Sequence, residues 1–130
     1  MKRTATRYPI LVLAAALVTA AVCLALPGRA AADAFVSAID DLPLMAGLSE
    51  APERTLTFES PDGRIVEAHA TGRLSRRSVI DFYAATLPQL GWRQVAETFF
   101  RREGETLLIE VTAVGGGLDV QFSLKPAARK

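Results

Sequence analysis

The chain has 130 residues, room for one domain, with half of them hydrophobic, a formal charge of +1 and a single cysteine, Cys23. The basic surplus belongs to the leader: with Lys2, Arg3, Arg7 and Arg29 set aside, 11 of the 15 basic residues remain against all 14 acids, a net charge of −3. A weakly acidic remainder lacks the footprint of a nucleic-acid binder, and without cysteine it takes no stability from disulfides.

Lys2, Arg3 and Arg7 precede an apolar run from Ile10 to Leu26, then Pro27-Gly28 and the small-residue stretch Ala30-Ala31-Ala32-Asp33-Ala34. A positive start, an apolar segment and an A-x-A site are the parts of a secretory signal, with cleavage expected between Ala32 and Asp33. The alternative is a retained anchor in the inner membrane, since the run makes a helix of about 26 Å against a hydrocarbon core of about 30 Å. Either way the leader's positive charges stay in the cytoplasm and the rest of the chain crosses, to the periplasm or beyond. The expected division is a signal peptide over 1–32, an extended covering segment over 33–52, a folded domain over 53–126 and a disordered tail over 127–130.

In the covering segment, Ala34 to Ile39 suits a short helix, and D-D-L-P-L-M-A-G-L-S-E-A-P mixes apolar residues with breakers. Arg54 to Glu59 alternates with Leu56 and Phe58 on one side, taken as the core side. Ser60-Pro61-Asp62-Gly63 is a turn, and Ile65 to Thr71 returns with Val66, Ala68 and Ala70 inward and Glu67 and His69 outward.

Ser75 to Trp92 carries Val79, Phe82, Tyr83, Leu87 and Leu90 at helical spacing. Ser75 is the expected cap, Pro88 the stop and Gly91 the left-handed exit. Trp92 to Arg101 reads as one strand whose apolar residues fall on both of its faces, which a bulge or a partial cover over the second face would reconcile. Leu107 to Ala113 and Leu118 to Lys125 alternate around a turn at Gly115-Gly116-Gly117. The order β-β-α-β-β-β gives a two-layer α+β domain, one main helix on a five-stranded antiparallel sheet.

The run V-I-D-F-Y-A-A-T-L-P-Q-L-G-W, preceded by D-L-P-L-M-A-G-L and followed by F-F-R-R-E-G-E-T-L-L-I-E-V, resembles small exported or membrane-anchored bacterial domains of unknown function with an F-Y-x-x-x-L-P-x-x-G-W helix. The similarity spans about residues 40–125. It implies an envelope location and carries no catalytic residue.

Chemistry is sparse. Glu67-x-His69 places both side chains on one strand face, where they could form a weak surface metal site or an acid-base pair, against the reading of a solvated face. Arg76 and Arg77 sit at a helix start, where positive charge opposes the macrodipole, an arrangement suited to anionic lipid or an acidic partner if not simply solvated. The aromatic set Phe82, Tyr83, Trp92 and Phe100 reads as core, with a loss of about 3 to 5 kcal/mol expected for Phe82→Ala. No catalytic group and no cofactor is expected. The reading is an envelope protein-interaction domain, with carriage of a small apolar or lipidic ligand between helix and sheet as the alternative and an enzyme as the last choice.

Intact-mass measurement of the protein recovered from producing cells should give an N-terminus at Asp33. A chain beginning at Met1 would establish the anchor in place of the cleaved signal.

Overall fold

The computed structural model describes residues 34–129; the expected leader, the expected cleavage site at Ala32 and Asp33, and Lys130 lie outside the described residues. Seven strands make one antiparallel sheet: β1 Leu48–Glu50, β2 Leu56–Ser60, β3 Gly63–Gly72, β4 Arg93–Ala96, β5 Phe99–Arg102, β6 Glu105–Val114 and β7 Gly117–Pro126. The helix α1, Arg76–Thr86, lies between β3 and β4 in the chain. Spatial order is β1-β3-β7-β6-β5-β4, and β2 shares with β1 the same border of β3.

Seven strands replace the expected five for two local reasons. The covering segment contributes β1, where Leu48, Ser49 and Glu50 pair with Gly72, Thr71 and Ala70. The approach is close enough that a Cβ on Gly72 would lie 2.3 Å from the Gly47 carbonyl oxygen, so only glycine fits there. The stretch read as one strand from Trp92 to Arg101 is a hairpin, β4 and β5 joined through Glu97 and Thr98, with a register shift between Gln94 and Ala96. That fold-back puts Trp92 and Phe100 in the core while Val95 stays exposed, which resolves their conflicting periodicity.

The helix follows its sequence closely. Ser75 Oγ accepts the Ser78 amide at 3.1 Å, satisfying one of the unpaired first-turn donors. A 3-10 turn over Leu87–Leu90 contains Pro88, and Gly91 at φ 87° closes it. Val79, Tyr83 and Leu87 are buried, Phe82 is half-buried and Leu90 is 39% exposed, so the apolar stripe ends one turn earlier than its spacing suggests. Phe82 packs edge-on to Tyr83 at 4.9 Å between centroids. Its partial burial lowers the expected cost of Phe82→Ala below the core range.

Under α1 the inward residues are Val66, Ala68 and Ala70 of β3, Val120, Phe122 and Leu124 of β7, Leu107 and Ile109 of β6 and Phe100 of β5. Residues 34–47 complete this layer with Val36, Ile39 and Leu42. They form no helix: Phe35 bridges to Pro43, Val36 N–H donates to the Leu42 carbonyl at 2.9 Å and Leu44 N–H to the Ala34 carbonyl at 2.7 Å. Asp41 at φ 58°, two residues before Pro43, turns the chain too sharply for a helical run. At the other end, Ala127 donates to the Gly104 carbonyl at 2.6 Å, so the expected free tail is tied down at its first residue.

The largest reversal concerns β2. Leu56 pairs with Glu67 and Phe58 with Ile65, which puts both on the face away from α1. They are 50% and 56% exposed. Alternation separates two faces but does not say which is inward, and the layer over β3 is already filled by residues 34–47.

Tyr83 joins the layers: its ring lies 5.5 Å from Phe122 and its hydroxyl donates to the Pro43 carbonyl at 3.0 Å. Burial pushes its phenol pKa upward, so the hydroxyl stays a donor at physiological pH. Tyr83→Phe keeps the ring but strands that carbonyl, and urea denaturation should show a loss of about 1 to 3 kcal/mol. Amide exchange at Val36, Leu42 and Leu44 should quicken before any change in the sheet.

Candidate functional site

The open face of the sheet, away from α1, holds the sequence-selected pair Glu67 and His69 on β3, as the alternation requires. It does not make them a working pair. The His69 ring turns to Asp119 on β7, with Nδ1 3.2 Å from Asp119 Oδ2. Arg54, in the 3-10 turn Pro52–Arg54 between β1 and β2, grips the same carboxylate through Nη1 at 2.6 Å and Nη2 at 3.1 Å.

Antiparallel register explains the meeting. His69 faces Gln121 and Thr71 faces Asp119, so Asp119 is a diagonal neighbour of His69 on the same face. The 3-10 turn then drops Arg54 over that face from the β3 border. Periodicity marks Asp119 only as outward polar; its partners lie 50 and 65 residues away in the chain.

The Arg54 fork holds Asp119 below the usual carboxylate range, outweighing the opposing effect of burial, and the His69 ring adds to it. An ionised Asp119 can only accept, so His69 Nδ1 carries the hydrogen of that bond. A hydrolytic centre would also need a nucleophile in line with Nε2, and the nearest hydroxyl on β7, Ser123, is buried and paired with Gln121 Nε2 at 3.5 Å.

Arg54 and Asp119 also line an open cavity of about 370 Å³ with Thr71, Arg73 and the Gly115 turn. That turn is a two-residue hairpin with Gly115 at φ 52° and Gly116 at φ 81°, the left-handed pair that suits strand twist. The same face also presents exposed apolar side chains, Leu56 and Phe58 on β2 and Val114, 59% exposed, on β6.

The other sequence-selected residues are spread out. Arg77 Nε bonds Asp81 at 3.0 Å one helical turn on, and Arg76 Nη2 lies 4.0 Å from Glu97. Each therefore has an acid near enough to offset its charge at the helix start. Among the described residues no three His, Cys, Asp or Glu side chains converge as metal ligands, and no helix is long and apolar enough to cross a membrane.

Fold and surface define a two-layer α+β domain with one sheet face covered and the other open. Comparison with protein-family models, with curated proteins and with solved structures gave no match.

Because the folded pKa of Asp119 is depressed, its contribution to stability is present above the unfolded value of about 3.9 and is lost as pH falls through the folded one. Thermal melts from pH 7 to pH 2 should show the wild type losing stability below about pH 4. Asp119→Asn should be less stable at pH 7 and flatter across the acid range.

Proposed function

We propose that this domain works outside the cytoplasm as a non-enzymatic envelope module that binds another protein through the open face of its sheet. The observation that carries the reading is the placement of exposed Leu56 and Phe58 on the same sheet face as the Arg54–Asp119–His69 cluster. Apolar side chains sharing a face with an ordered polar group are the makings of an interaction surface. The leader supports the location.

The face is a better docking element than either border. β2 offers five residues and β4 four, with a register shift, which is little for strand addition. Carriage of an apolar ligand between helix and sheet needs a void of roughly 300 Å³ or more in that layer. Val79, Tyr83, Leu87, Trp92 and Phe122 fill it at 2% exposure or less, which favours the docking reading.

A photoreactive residue at position 58 in the producing cell should yield a discrete cross-linked envelope protein, while one at Asp81 on the exposed side of α1 should not. Phe58→Glu should shift stability by no more than about 0.5 kcal/mol, as for other exposed positions, yet abolish cross-linking from position 56. Equal cross-linking from positions 58 and 81, or none from either, would defeat the reading.

A further inference from the structure

The β4–β5 end of the sheet carries a charge arrangement that the open-face reading leaves unused. Arg93 on β4 and Arg101 on β5 are direct cross-strand partners, so two guanidinium side chains leave the same face side by side. Like charges placed directly opposite weaken an antiparallel pair. Among the described residues, ion pairs engage Arg54, Arg64, Arg76, Arg77 and Arg129, but none reaches Arg93, Arg101 or Arg102.

Two further observations point to a missing anion. The Arg101 Nε is buried with no hydrogen-bond partner, and an unpaired buried donor on a cation is costly. Arg102 is fixed in place, with Nη1 donating to the Leu90 carbonyl at 3.1 Å and the guanidinium 4.5 Å above the Trp92 ring. All three arginines line one cavity of about 340 Å³ together with Glu103 and Glu105. Glu105 is directed to Arg64 at 3.4 Å, which leaves Glu103 to offset three cations.

We propose that this cavity binds a phosphate group, as a free phosphate or as the headgroup of an anionic lipid. A phosphate monoester brings about −1.5 to −2 charges and three acceptor oxygens, enough to engage the two opposed guanidinium forks of Arg93 and Arg101 at once. A single carboxylate would leave most of that charge uncompensated. Leu90 and Val95, 39% and 52% exposed, flank the site in the chain and give a lipid's glycerol and acyl region an apolar margin. The two arginines leave the same open face as Leu56 and Phe58, but at the opposite end of the sheet from β2.

The test uses the full chain, titrated calorimetrically with inorganic phosphate and with glycerophosphoglycerol, and floated with phosphatidylcholine vesicles with or without phosphatidylglycerol. Saturable binding should appear and should weaken about tenfold or more in Arg93→Gln and in Arg101→Gln, with Arg73→Gln unchanged. Uptake of inorganic phosphate alone identifies a free ligand. Retention on phosphatidylglycerol vesicles that exceeds that of Arg101→Gln identifies a headgroup, because the apolar leader contributes equally to both chains. In phosphate-free buffer Arg93→Gln should melt no lower than wild type, since it relieves the opposed charges, and phosphate should raise the wild-type Tm only. Absence of binding to every probe, equal weakening by Arg73→Gln, or a lowered ligand-free Tm in Arg93→Gln would overturn the site.

Discussion

The structure depends on burying one aromatic ring. Tyr83 lies between α1 and β7, against Phe122, and its hydroxyl reaches across to the Pro43 carbonyl. Three segments distant in sequence, residues 34–47, the helix and the closing hairpin, are thus held by one side chain. Apolar burial supplies most of the free energy, and the hydroxyl supplies direction. With the covering segment fixed there, the inward side of β3 is full. Leu56 and Phe58 are left on the other face, and so the open surface acquires its apolar part.

What could be read from the residues is what local chemistry dictates. Ser75, Pro88 and Gly91 each impose a backbone state on their neighbours, and the structure keeps all three. The alternation of β7 is likewise kept, with Val120, Phe122 and Leu124 inward. The hairpin at Glu97 and Thr98 escaped because neither residue is a turn former, and β1 because three residues are too few to show a period. The facing of β2 depends on what else competes for the core. The Arg54–Asp119–His69 cluster depends on register between distant strands. Glu67 and His69 share a face as read, yet the carboxylate that orients the imidazole comes from β7.

The arginines divide by environment, and the division organises the surface. Arg54 is held bidentate by a carboxylate with only 16% side-chain exposure, whereas Arg77 pairs with Asp81 in open solvent. The first bond is sheltered and positions the 3-10 turn; the second is screened by water and salt. Arg93, Arg101 and Arg102 belong to neither group, being close together without carboxylates of their own. Guanidinium keeps its charge at any physiological pH, so opposed arginines cannot relax by losing a proton. The β4–β5 end is therefore primed for anions from outside the chain, while the Arg54–Asp119–His69 cluster at the other end of the same face satisfies its ions internally.

β3 has ten residues, but its outer border is never presented whole. β1 covers Ala70 to Gly72, β2 covers Gly63 to Glu67, and the Pro52–Arg54 turn interrupts them. Fibril growth recruits segments of about six or seven residues in register, and long flat margins are where recruitment starts. Here the margins run to three, five and four residues on β1, β2 and β4. With no cysteine among the described residues, nothing covalent guards against wrong pairing between copies during refolding. The broken hems act geometrically instead, since none of them offers a neighbouring copy a template as long as six residues.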